Sequence, residues 1–177
     1  MTDYTTRANY LFEQSRRAID VGCKTMHADH AASGQLSSGN TATEAVVIFE
    51  RETRSASGNA AAEVAGTVLS RGREWSRAMN SIRASLDQHI AMAPDLLSPS
   101  MKLARADRSE GASRAVEGLI NDAAERLRAE LSAFEEGWTA PRPKLWTERH
   151  PVIYALALLL AGSLIGTAFS YLLPARR

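Results

Sequence analysis

From Pro151 to Ala175 no side chain carries a charge, and this stretch, beginning PVIYALALLLAGSLIGTAFSYLLP, restricts the chain's fold more than any other feature. At 1.5 Å per residue, the roughly 23 residues after Pro151 make a helix of about 34 Å, enough to cross a hydrocarbon core of about 30 Å. A continuous helix satisfies its own backbone polar groups in lipid, and a proline in the first turn costs it no bond. Burying such a helix in a soluble core would require the rest of a 177-residue chain to wrap it on every side, which a chain of this size cannot do. The sequence therefore predicts a single transmembrane helix over 151–174 and a short tail, 175–177. Trp146 and Tyr154 at one edge and Tyr171 at the other suit the headgroup layer, and Arg149, Arg176 and Arg177 can snorkel into it.

Basic residues on the two sides of the stretch differ little in number, with Arg142, Lys144 and Arg149 before it and two arginines after it. The opening MTDYTTRANYLFEQSRR has no apolar core of an export signal, so the expected topology leaves the preceding residues in the cytoplasm and carries only the tail across. Arginine outnumbers lysine 18 to 3 beside abundant alanine, a bias of high-GC bacterial coding that makes the inner membrane the expected location.

Without Arg176 and Arg177 the chain holds 19 basic and 20 acidic residues, a near-neutral balance that gives no argument for a nucleic-acid partner. Cys23 is the only cysteine, which excludes an intramolecular disulfide. Alanine dominates the apolar positions and aromatics make up 6%, a composition suited to closely packed helices.

The pattern predicts an all-α protein: a cytoplasmic helical hairpin or small bundle over 1–137, a proline-rich hinge and interfacial segment over 138–150, then the membrane helix. Tyr4, Ala8, Leu11, Ser15, Ala18, Gly22 and Met26 trace one stripe of a first helix from about Asp3 to Ala32. SGQLSSGN, residues 33–40, reads as a turn, and Thr41 with Glu44 as a capping box opening the next helix. A seam then runs through Phe49, Ala56, Ala60, Val64, Val68, Trp75, Met79, Ile82, Leu86 and Ile90, on one kinked helix or two. Gly58 and Gly72 mark the weak points, each costing about 1 kcal/mol relative to alanine. Pro94 and Pro99 predict a turn. A third helical region follows from about Met101 to Glu136, with Val116, Ile120, Ala123, Leu127, Leu131 and Phe134 on one side and i,i+4 pairs among Asp122, Arg126 and Glu130 on another.

Little in the chain suggests chemistry. Cys23, His27 and His30 are metal-ligand types at i, i+4 and i+7, but about 10 Å of helix separates the first from the last, and zinc bonds are about 2.0 to 2.3 Å long. No second cluster completes the set, so a partly exposed polar face is expected and no metal or other cofactor. Arg73, Trp75 and Arg77 are read as a solvated helix face with Trp75 in the seam, the competing reading being a patch for anionic lipid or RNA. Phosphate loops, nucleophile elbows and HExxH motifs do not occur, and no catalytic residue is assigned.

Within the apolar stretch Gly162, Gly166 and Ser170 recur every four residues with Ser163 and Thr167 beside them, a small, weakly polar face that predicts self-association of the span. The last 32 residues, WTERHPVIYALALLLAGSLIGTAFSYLLPARR, resemble the C-terminal anchor of the ElaB/YqjD family of small bacterial inner-membrane proteins. That resemblance implies a cytoplasmic face that docks ribosomes. The expected function is that of a non-enzymatic scaffold or adaptor, a homo-oligomer recruiting a cytoplasmic protein or complex to the membrane. The alternative is a membrane-active, holin- or toxin-like factor.

Overall fold

The computed structural model describes residues 3–140, together with Val152, Ile153 and Ala155. The protein is all-α: α1 Tyr4–Ala32, α2 Gly39–Thr67, α3 Arg73–Ala91, α4 Ala93–Leu103, a 3₁₀ turn Ala106–Arg108 and α5 Glu110–Gly137. Met1–Ala140 forms one compact unit. Its centre is α2, which packs on α1, α3, α4 and α5.

Asp3 caps α1 by accepting from the Thr5 and Thr6 amides, satisfying donors that the first turn leaves open. The buried face of α1 is Ala8, Phe12, Ser15, Ile19, Cys23, Met26 and His30. The expected stripe lies at the edge of this face: Ala8, Ser15 and Met26 belong to both, whereas Tyr4, Leu11, Ala18 and Gly22 are only half-buried. Phe12 and Ile19 have more apolar area to remove from water, and they decide how the helix is turned.

The connection 33–38 turns through Gly34, whose φ of +72° glycine adopts without strain. The capping box at Thr41 is not formed. Ser38 precedes the helix, and Thr41, the third residue inside it, is fully buried with its hydroxyl turned to His30. Every member of the seam from Phe49 to Ile90 is buried. It runs on two helices, parted at 68–72, where Val68 is extended and Gly72 leads into α3. Gly58 does not break α2, because Ala56, Ser57, Ala60 and Ala61 are buried on either side of it and tertiary packing outweighs a cost of about 1 kcal/mol.

The expected turn over Pro94 to Pro99 is instead α4. Pro94 lies in the first turn, where no N–H is missed; Pro99 sits inside, where the helix bears the lost bond over only 11 residues while burying Ala93, Leu97 and Ser100. The third helical region is interrupted at 104–109, where Arg105 takes the left-handed conformation with φ 56°, and α5 restarts after Ser109, whose hydroxyl accepts from the Ala112 amide. Ile120, Ala123, Leu127 and Leu131 bury as the periodicity predicts, with Val116 and Phe134 packed at the margin. Arg126 and Glu130 pair across to α2 rather than along α5.

Leu127 is 1% exposed and Val47 54%. Leu127→Ala is expected to destabilise the unit by about 3 kcal/mol, counting transfer and the cavity left behind, and Val47→Ala by under about 0.5 kcal/mol. Urea denaturation of the full-length protein in mild detergent, followed by circular dichroism, measures both; equal losses would contradict this placement of the core.

Candidate functional site

Four polar arrangements stand out against an apolar unit. The first lies along α1. Cys23 and His30 are buried and His27 is half-buried, so these residues form an interhelical seam instead of the partly exposed face expected of them. The His27 ring Nε2 shares a hydrogen bond of 2.8 Å with Ser100 Oγ on α4. His30 Nδ1 is 2.7 Å from Thr41 Oγ1, and its Nε2 is 3.0 Å from a Glu44 carboxylate oxygen, both on α2. Burial pushes the Cys23 thiol up, against the opposing effect of the Ser100 hydroxyl, and burial lowers His27, with His30 adding to it. A thiol held protonated is a poor nucleophile and a poor metal ligand. Among the described residues no three His, Cys, Asp or Glu side chains are grouped to hold a metal ion.

The second is His89 on α3, 2% exposed and sandwiched between Phe12 and Phe49, with ring centroids 5.2 and 5.6 Å away. Neither ring nitrogen has a hydrogen-bond partner among the described residues. Burial, reinforced by the Arg16 guanidinium, lowers its pKa to about 4. Nothing in the sequence spacing around His89 announces an imidazole stacked inside the core.

The third is an ion-pair network on the α2–α5 rim. Glu50 is clasped by Arg126 at 2.7 Å and Arg54 at 2.7 Å, and Arg54 reaches Glu130 at 2.7 Å. The Arg126 hydrogen bond is the main reason that the Glu50 carboxyl is held below its ordinary range. A carboxylate tied to two guanidiniums links two helices and, with its pKa lowered by them, is a weak base.

The fourth is at the end of the unit where α5 finishes. Trp138 stacks on the buried Trp75 of α3 with ring centroids 3.8 Å apart and planes 13° from parallel. Arg71 donates to the carbonyls of Glu135 and Glu136, supplying donors to the open C-terminus of α5, and Arg83 pairs with Glu135. Tyr4 donates to Glu74 and Thr5 to Ser81, which brings the start of α1 to the same end. Arg73 and Arg77 are exposed there, as the solvated-face reading expects, beside a shallow hollow of about 670 Å³ that also touches Thr5, Ser76, Asn80 and Ser81. Elsewhere a groove of about 230 Å³ between α4 and α5, floored by Leu97, Met101, Val116 and Ile120, is smaller than the 300 to 1,000 Å³ of most ligand pockets.

The association face Gly162, Ser163, Gly166, Thr167 and Ser170 and the interfacial residues Trp146, Arg149, Tyr154, Tyr171, Arg176 and Arg177 lie outside the described residues. Among the described residues no helix is long and apolar enough to cross a membrane. Val152 and Ile153 are helical and expose 70% and 52% of their surface. No family model matches the chain, and neither a curated protein nor a solved structure is significantly similar to it.

A neutral buried imidazole gives a signed pH dependence. His89 gains its proton near the ordinary imidazole value of 6.5 when unfolded and only at about 4 when folded, so between these values the unfolded chain binds more protons and stability falls as the pH falls. The loss approaches about 3 kcal/mol by pH 4. Urea titrations from pH 7 to pH 4 on wild type and His89→Leu check it, since the variant is expected to lose less stability over this window; parallel curves would show that His89 is not the group responsible.

Proposed function

We propose that the chain is a non-enzymatic, C-terminally anchored protein of the bacterial inner membrane, whose cytoplasmic helical bundle is a scaffold or adaptor holding a cytoplasmic protein or complex at the bilayer. The observation that carries this reading is the uncharged stretch from Pro151 to Ala175, placed ten residues beyond the end of a compact helical unit. The intervening PRPKLWTERH, with prolines at 141 and 143, suits an extended hinge and an interfacial segment. The outward apolar surface of Val152 and Ile153 suits lipid. A scaffold role is supported by where the unit's perturbed groups sit: Cys23 and His89 are buried and Glu50 is occupied by two arginines, so they serve packing and register. The small face at 162, 166 and 170 would bring two spans together.

The topology is tested by impermeant thiol labelling of intact cells and of opened membranes. A cysteine added after Arg177 in a Cys23→Ala background should label in intact cells. One at Lys102, an exposed position of α4, should label only after opening. The reverse pattern would exclude a cytoplasmic unit, and loss of the protein from washed membranes would exclude the anchor.

Association through the span makes a separate prediction. Gly166→Leu puts a bulky side chain where two backbones would meet, and a cost of about 1 kcal/mol lowers dimerisation roughly five-fold. A dimerisation-driven reporter fused to the isolated span reads this, with Leu160→Ala as control; equal signals would move any self-association to the helical unit.

A further inference from the structure

We propose that the core between α1, α2 and α3 holds an internal water site, where Ser15, Thr53 and His89 bind ordered solvent that ties the three helices together. Eight polar residues are buried among the described residues, and five of them have side-chain hydrogen bonds: Ser57 to the Arg54 carbonyl, Ser85 to Asn9, Ser100 to His27, and His30 with Thr41. Ser15, Thr53 and His89 are the three that have none, though they expose only 5%, 0% and 2% of their surface. Next to Ser15, Arg16 pairs with Glu13 through Nη2, and its Nε is buried without a partner. The remaining orphaned atoms, Ser38 Oγ and Trp75 Nε1, stand singly at the starts of α2 and α3.

Chain register brings the first group together. α1 and α2 run antiparallel, Arg7 meeting Glu63 and His30 meeting Thr41. Ser15 and Arg16 lie one turn after Phe12 on α1, and Thr53 one turn after Phe49 on α2, so they approach one another from opposite directions. α3 runs parallel to α1, with Thr5 meeting Ser81 and Asn9 meeting Ser85, which sets His89 beside Phe12. Its imidazole spans the gap between the two aromatic residues, its centroid 5.2 Å from that of the Phe12 ring and 5.6 Å from that of the Phe49 ring. The hydroxyls of Ser15 and Thr53 therefore fall in the interval that the imidazole bridges, and the Arg16 guanidinium is near enough to act on its charge.

These polar atoms match water better than an ion. Each hydroxyl donates and accepts; the imidazole, neutral at pH 7, has one donor and one acceptor nitrogen; Arg16 Nε only donates. A water offers two donors and two acceptors, and a buried one typically makes about three hydrogen bonds to groups otherwise unmet. A cation would face the Arg16 guanidinium with no carboxylate or thiolate among these atoms, and an anion would leave the acceptor nitrogen unmet. Keeping all of these atoms dry costs more than ordering the water that satisfies them.

The test compares the full-length protein in mild detergent with a variant carrying Ser15→Ala, Thr53→Val and His89→Phe, which removes the polar atoms at similar volume. Magnetic relaxation dispersion of the water oxygen, recorded at several temperatures, counts long-lived internal waters, and the wild type is expected to hold at least one more than the variant. In urea titrations Ser15→Ala and Thr53→Val are each expected to lower the folding constant about five-fold. Together they lower it by less than the product of the two, because the second replacement loses a water that the first has already loosened. Equal dispersion amplitudes overturn the inference. So do additive effects of the two replacements, the result for hydroxyls with no shared partner, and a stability that depends on chloride at constant ionic strength through these residues, the result for an anion. If the triple variant does not fold, the cycle of Ser15→Ala and Thr53→Val decides alone.

Discussion

Small side chains on α2 are the condition for everything else in the helical unit. This helix meets α1, α3, α4 and α5 at once, and a helix surrounded on several sides must keep its own girth small. Ala42, Ala45, Ala56, Ala60 and Ala61 are all buried, and they let neighbouring backbones come near enough for the few large residues, Val46, Ile48, Phe49 and Val64, to fill what remains. Close approach has a counterpart at Gly22 on α1, where a Cβ would meet Ile48 Cγ2 at 3.0 Å. The Glu50–Arg54–Arg126–Glu130 network then fixes how far α5 slides along α2.

Where apolar size and periodicity agreed, the sequence could be read directly. Phe49, Val64, Trp75, Met79, Ile82, Leu86 and Ile90, and on α5 Ile120, Leu127 and Leu131, are large residues at helical spacing, and they bury as the spacing requires. On α1 the two signals diverged. A stripe chosen for small residues and regular spacing passed beside Phe12 and Ile19, because a tally of positions does not weigh the area each one hides. The prolines misled for a related reason: Pro94 and Pro99 do weaken a helix, yet Leu97 and Ala93, both 0% exposed, hold α4 together by contacts made far away in sequence. Partners of charged residues were legible only within a helix, so Arg126 and Glu130 were assigned along α5 when their carboxylate and guanidinium partners lie on α2.

The candidate site divides in the same way. Cys23, His27 and His30 could be recognised as polar and close, but their roles depend on Ser100, Thr41 and Glu44 from two other helices, which no local spacing reveals. His89 shows the limit most clearly, since nothing along its own helix reveals that Phe12 and Phe49, from two other helices, close over it. The apolar stretch is the opposite case. Its meaning comes from composition alone, and the helical unit adds the place from which the chain departs toward it.

The Trp75–Trp138 stack gives that departure point an optical signature. Two indoles 3.8 Å apart and nearly parallel couple their electronic transitions, so the pair absorbs and rotates light as one chromophore instead of two. Any event that draws Trp138 off Trp75, whether tension on the chain beyond Ala140 or fraying of the last turn of α5, splits that chromophore. The protein thus carries, without added label, a spectroscopic report on whether the end of α5 stays seated on α3.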